Sequence, residues 1–178
     1  MMPDAALSPS SLSAFVRFRD RVRARTGSAE LLAFRLGDER FAFDVRALDE
    51  AVDQPHVEMT PVNGAAILVG LMRHADRSIP VFDTARVLGV RRDTLAAVDA
   101  PSQVLVMRSG ARRIALLVDA IDDVVTLELT TIQPPPFDAG DELLIGVTWN
   151  GEDGDLTAIL DARALIVHCQ QRAPEVAG

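Results

Sequence analysis

The chain has 178 residues, of which 48% are apolar, enough to fill the core of one domain or of two small packed ones, so disorder is excluded as the default state. Its formal net charge is −8; residues 1–30 hold five Arg against three acids, a balance of +2, so residues 31–178 carry about −10. A body of that sign disfavours a phosphate backbone as partner and suits a soluble protein or one that docks on basic surfaces.

Aromatic residues are sparse, with seven Phe, one Trp and no Tyr, which leaves the core to Val, Leu, Ile and Ala. A nucleic-acid surface built on aromatic stacking is therefore not expected. There is no Lys, a bias that follows either from genome composition or from a use of Arg for planar contacts with carboxylates. A single cysteine, Cys169, precludes an internal disulfide, and its apolar surroundings read as burial. No apolar run has the length of a membrane span or the form of a signal peptide, so direct membrane insertion is not expected and a cytoplasmic place is the simplest.

In chain order, residues 1–29 form a basic extension. Within it, Ser11 to Arg25 reads either as a short helical arm on the acidic body or as a loose basic arm, with Arg at every second position from Arg17. Strands are predicted at 31–36 and 40–45 around a Gly37-Asp38 turn, followed by a break and an extended stretch from Glu50 to Asp53. Because this pattern begins at Leu31, residues 1–26 are expected to be dispensable for folding. A short edge strand is predicted near Met59 to Val62, then strands at 65–72 and 77–82 joined by Arg73-His74-Ala75-Asp76. A helix from Asp83 to Leu88 stops at Gly89, and residues 90–102 form a polar junction. Strands at 103–108, 112–119, 122–128, 143–149 and 156–160 follow, with a stiff Pro134-Pro135-Pro136 loop and a last helix from Asp161 to about His168. Residues 171–178 form a tail.

The chain repeats itself. Leu31 to Val52 matches Val104 to Val125 without a gap, 73 residues later: Arg35, Gly37 and Arg40 fall on Arg108, Gly110 and Arg113, and the acids Asp49 and Glu50 fall on Asp122 and Asp123. Leu68-Val69-Gly70 returns as Leu144-Ile145-Gly146, and IPVFDTARVL returns as LTAILDARAL. Asp83 and Asp161 each stand where a carboxylate caps a helix. Short strands, few helices and frequent turns predict an all-β fold with short helices, built as two packed five-stranded β-barrels, pseudo-duplicated; the subdomains lie near 30–100 and 101–170, sequential or interleaved.

No catalytic chemistry is visible. His56, His74 and His168 have no partner at ligand spacing, the acidic loops near Asp138 and Glu152 lack a calcium-loop pattern, and Gly64 and Gly70 do not make a phosphate loop. No cofactor or metal is expected, and the scaffold is expected to work by presenting surfaces. Exposed edges and a groove between two units are where such a scaffold recognises a partner.

The ordered set FRLGDERFAFDVRALDEAV, ILVGLMRHADRSIPVFDTARVLG, RRIALLVDAIDDVV, Gln133-Pro134 and LTAILDARALI, spanning about Glu30 to Ile166, resembles the CheW-like family of bacterial chemosensory adaptors. The resemblance implies two SH3-like barrels, no enzymatic activity and no cofactor. It further implies binding to the regulatory domain of a chemotaxis-type histidine kinase and to the cytoplasmic tip of methyl-accepting receptors, with a location at receptor arrays. Carried onto this chain, Val45, Leu48 and Glu50 would form contacts of the first barrel, and Val124 would line the groove from the second. The family usually reads Asn-Leu-Arg-Gly after Gly70; here Arg73, His74, Ala75 and Asp76 hold those places, followed by Ser78. The altered loop, with Arg73, Ala75, Asp76 and Ser78 as contact residues, implies either adapted coupling or a binding module that scaffolds another partner.

Overall fold

A computed structural model describes residues 16–20, 27–53, 57–59, 67–90, 103–135, 143–150 and 155–172. The expected 90–102 junction, apart from Val90, the loop after Asn150 and the acids near Asp138 lie outside the described residues. Residues 16–20 are helical (α1). Eleven strands follow: β1 (Ser28–Leu36), β2 (Glu39–Asp44), β3 (Leu48–Asp53), β4 (Val57–Met59), β5 (Leu68–His74), β6 (Arg77–Asp83), β7 (Gln103–Ser109), β8 (Arg112–Val118), β9 (Ala120–Glu128), β10 (Leu144–Asn150) and β11 (Asp155–Leu160). Helix α2 (Thr84–Leu88) follows β6, and α3 (Ala162–Arg172) follows β11.

Each copy begins with a hairpin whose two-residue turn opens on a glycine. Gly37 and Gly110 have φ of 60° and 61°, a left-handed conformation that glycine adopts without a Cβ penalty. The hairpins do not stay with their own copy. One sheet runs β10-β11-β2-β1-β9 and the other β3-β7-β8-β6-β5-β4. Thus β1–β2 joins the later strands of the second copy, and β7–β8 joins those of the first. The joins β1–β9 and β3–β7 are antiparallel, and the joins β2–β11 and β6–β8 are parallel: Ile159 and Leu160 face Ala42 and Phe43, while Val81 and Phe82 face Ala115 and Leu116. Parallel pairs arise here between copies, so no βαβ crossover is required. The second sheet has a sixth strand, β4, where five were expected; its counterpart in the first sheet is a single bridge between Gln133 and Val147.

Strand periodicity explains the burial. On β1, Leu32, Phe34 and Leu36 enter a central cluster shared by both sheets, while Leu31 and Ala33 turn to a second cluster with Ala42, Ile145 and Ile159. On β7, Leu105 and Met107 enter the central cluster, and Val104 and Val106 enter a third one with Val81 and Ala115. The central strands bury both faces, and their sequences accordingly read as continuous apolar runs. The aromatic centre is Phe34, with ring centroids 5.8 Å from Phe41 and 6.0 Å from Phe43.

The two helices end the two copies differently. Asp161 caps α3, its Oδ1 accepting from the N–H groups of Arg163 and Ala164 at 3.1 and 3.2 Å. Asp83 makes no such bond to α2 and instead meets Arg86 at 3.4 Å, so the expected cap holds at one site only. Helix α2 stops because Gly89 turns left-handed (φ 69°) and the Val90 N–H returns to the Ala85 carbonyl at 2.8 Å. Helix α3 runs on for 11 residues, burying Ala162, Leu165, Ile166 and Cys169 at i, i+3, i+4 and i+7. Burial pushes the Cys169 thiol up to about 12, which leaves it protonated and unreactive at neutral pH.

The copies also exchange charges. Asp122 Oδ2 receives Arg35 Nε at 3.2 Å and Arg40 Nε at 3.1 Å. At the equivalent place Asp49 receives Arg113 Nε at 3.4 Å and Arg108 Nη1 at 3.9 Å. Gln103 links the third strands directly: its Nε2 donates to Asp53 Oδ1, and its Oε1 accepts from the Ile121 N–H at 2.6 Å.

The described part of the N-terminal extension packs on the body. Phe18 on α1 is 3% exposed and joins the second cluster, and β1 starts at Ser28 rather than Leu31. Phe18→Ala is expected to lower stability by about 3 kcal/mol, the usual cost of emptying a buried Phe site; an unchanged urea midpoint would show that α1 only rests on the surface. Asp122→Asn is expected to cost about 1 kcal/mol, because two guanidinium groups lose their shared anion. Its effect should shrink in high salt, and a salt-independent loss in the same urea titration would contradict an electrostatic origin.

Candidate functional site

A surface forms where β3 meets the β5–β6 hairpin. The short 3-10 turn Val45–Ala47 precedes β3, held by Asp44, whose Oδ1 accepts from the Arg46 N–H at 3.0 Å. A register shift between Leu48 and Glu50 re-aims β3 at this point. Glu50 Oε2 then lies 2.7 Å from His74 Nε2 on β5, with the imidazole mostly buried and the carboxylate exposed. Strands β3 and β5 are far apart in the ladder order, so the sheet curls to bring them together.

The hairpin itself carries the departure from the expected family pattern. Register pairs Arg73 with Ser78 and His74 with Arg77, leaving Ala75 and Asp76 as the two-residue tip. Both tip residues have positive φ, 46° and 63°. That geometry favours Asn or Asp at the first place and Gly at the second. Asp tolerates it through its short polar side chain, whereas Ala has no such compensation.

Arg73 and Ser78 pair on the exposed face of the hairpin, next to the exposed Ala75–Asp76 tip, whereas Glu50 meets His74, which points to the opposite face. Val45 and Leu48 lead into that face, but their side chains are half-buried against the central cluster. Val124 is 51% exposed and sits on β9 of the other sheet, paired with Leu32. Two residues were missed by sequence reasoning. His74 is the group that joins β3 to the hairpin, and only its place at the turn hinted at this. Trp149 on β10 is 57% exposed. It falls 76 residues after Arg73, the spacing that relates Gly70 to Gly146, and as the one Trp it could have been found that way.

Among the described residues no group of three His, Cys, Asp or Glu converges to hold a metal ion. No helix among them is long and apolar enough to cross a membrane. Polar groups here meet one another in pairs, without a nucleophile beside a base. Replacing the tip by the favoured pair, Ala75→Asn with Asp76→Gly, is expected to raise stability by about 1 kcal/mol by removing left-handed strain. An unchanged or lower urea midpoint would show that the tip is not strained.

The sequence model of the CheW-like domain matches residues 30–170. The chain is 30% identical over 121 residues to the chemotaxis protein CheW of Rhizobium meliloti (strain 1021), covering 65% of this chain and 72% of that protein. The crystal structure of the scaffolding protein TtCheW from Thermoanaerobacter tengcongensis superposes with a TM-score of 0.62 at 20% identity, covering 75% of this chain and 88% of that one. The likeness in fold agrees with the two mixed sheets described above, and the match over residues 30–170 takes in the described strands but for the first two residues of β1: the chain belongs to the CheW-like domain family.

Proposed function

We propose that this protein is a non-enzymatic adaptor of bacterial chemosensory signalling, which couples receptors to a histidine kinase by binding the kinase's regulatory domain and the receptors' cytoplasmic tips. Membership of the CheW-like family carries this reading and supports the general adaptor role. In it, each sheet wraps into an SH3-like barrel. The chain path favours this: β4 follows the edge strand β3 and pairs with β5 near the opposite edge, and Gln133 follows β9 and pairs with Val147 on β10. The location that goes with the role is cytoplasmic, at receptor arrays.

The docking face in this reading is the one gathered by His74 and Glu50, with Val45, Leu48, Arg73, Ala75, Asp76 and Ser78, while Val124 contributes from the second barrel. One observation favours an adapted partner over a standard receptor. The left-handed tip carries Ala75 and Asp76 where the resemblance places Arg and Gly, so a multi-donor fork is replaced by a methyl group and a negative charge. The alternative is a divergent CheW-like module that scaffolds a different partner through the same face.

Calorimetric titration against the regulatory domain of a chemotaxis-type kinase from the same genome tests the reading. One-to-one binding at micromolar strength is expected, weakened at least about tenfold by Glu50→Arg, in line with placing a charge reversal inside an interface. Absence of binding to every such kinase would sink the adaptor role and leave the alternative. Ala75→Arg with Asp76→Gly is expected to strengthen binding to a standard receptor tip.

A further inference from the structure

The duplication sets up a comparison between the two helices that bears on a second surface. The parallel ladders fix the correspondence: Val81 on Ala115 repeats as Ile159 on Ala42, so α2 and the first turn of α3 stand at equivalent places. Beyond that turn they diverge. Helix α3 continues and packs across β7 and β8 of the other sheet, with Cys169 buried in the central cluster. Helix α2 is halted by Gly89, so among the described residues no helix covers the equivalent path across β1 and β2.

A cleft of about 610 Å³ lies along that path, within the range of recognition pockets. Its floor is formed by Phe41, Leu88, Leu144, Leu156, Ala158 and Leu160. Leu88, Leu144, Leu156 and Ala158 remain only half-buried. Phe41 and its equivalent Ile114 are both buried in the central cluster, whereas Leu144 is only half-buried where its equivalent Leu68 is buried alongside Cys169. Among the described residues Leu88, Leu144, Leu156 and Ala158 thus form an apolar track without a helix over it, whereas α3 fills the matching place on the other sheet.

The rim says what fits. Asp38, Glu39 and Asp155 line the cleft, are exposed, and take part in no ion pair among the described residues. The two Arg of the rim, Arg35 and Arg40, are both drawn to Asp122. The surface offered to an occupant is therefore apolar at the floor and acidic at the edge. We infer that this cleft is a second docking site, separate from the β3 and β5–β6 face, and that it takes an amphipathic helix of a partner protein. That helix presents apolar residues at i, i+3, i+4 and i+7 and carries Arg or Lys on its flanks, as α3 itself does with Arg163 and Arg172.

The probe is a fluorescent, end-blocked peptide of residues 162–172 carrying Cys169→Ala, titrated into the full chain by anisotropy. Saturable binding is expected. It should weaken at least about tenfold with Leu156→Glu in the floor, and similarly with Asp38→Lys plus Glu39→Lys on the exposed rim, since each removes one half of the complementarity. The rim variant keeps the test valid should the floor variant fail to fold. A peptide with Arg163→Glu and Arg172→Glu should bind more weakly than the parent. No binding, or binding unaffected by the rim variant, overturns the inference. So does NMR mapping of the peptide to Glu50 and His74 instead of Leu88 and Ala158. Self-association of the chain abolished by Leu156→Glu would assign the cleft to a second copy and likewise overturn it.

Discussion

The parallel pairing of each copy's hairpin with the other copy's later strands is the constraint on which the rest of the molecule depends. Because β2 lies against β11 and β8 against β6, neither copy has a complete sheet of its own. The central cluster draws Phe34 and Phe43 from one hairpin, Ile114 and Leu116 from the other, and Phe82 and Leu160 from the strands between. Loss of either hairpin therefore removes part of both sheets and of the shared core. A chain built in this way behaves as one cooperative unit despite its internal repeat.

Polar interactions follow the same exchange. Each copy's Arg pair is drawn to the other copy's acid, Asp122 for Arg35 and Arg40, and Asp49 for Arg113 and, more loosely, Arg108. Such half-exposed pairs contribute little stability singly, and because both copies carry the same set they do not choose between the two pairings. Gln103 adds a neutral link between β3 and β9, and Asp119 clamps the first hairpin by accepting from the Gly37 N–H at 2.6 Å. The symmetry is broken at β5 and β10. One copy ends its fifth strand in the Ala75–Asp76 tip with His74 on Glu50, and the other carries an exposed Trp149 at the matching place.

Differences between equivalent positions are thus the informative ones. A residue shared by both copies serves the exchange: Gly37 and Gly110 make the turns, and Gly70 and Gly146 sit at equivalent register shifts. A residue present in one copy only is free of that duty. The short α2 against the long α3 is the largest such difference among the described residues, and of two similar crevices only one is filled by a described helix.

The sequence by itself determined the elements. Short apolar runs marked the strands, the glycines marked the turns, and the ungapped match of Leu31–Val52 to Val104–Val125 marked the duplication, because strand, turn and cap preferences act over a few residues. The same locality explains why the turn at Arg73 to Asp76 was visible. Only the tertiary structure decided which hairpin pairs with which strands, since both copies present nearly the same edge and the choice is made by the shared core. Phe18 could not be assigned to a core from a basic, irregular segment, and its burial depends on a cluster assembled from β1, β2, β10 and β11. Likewise His74 acquired its role only when the curled sheet brought β3 across to β5. Nothing in the spacing of Glu50 and His74 along the chain encodes a contact that depends on how far a sheet bends.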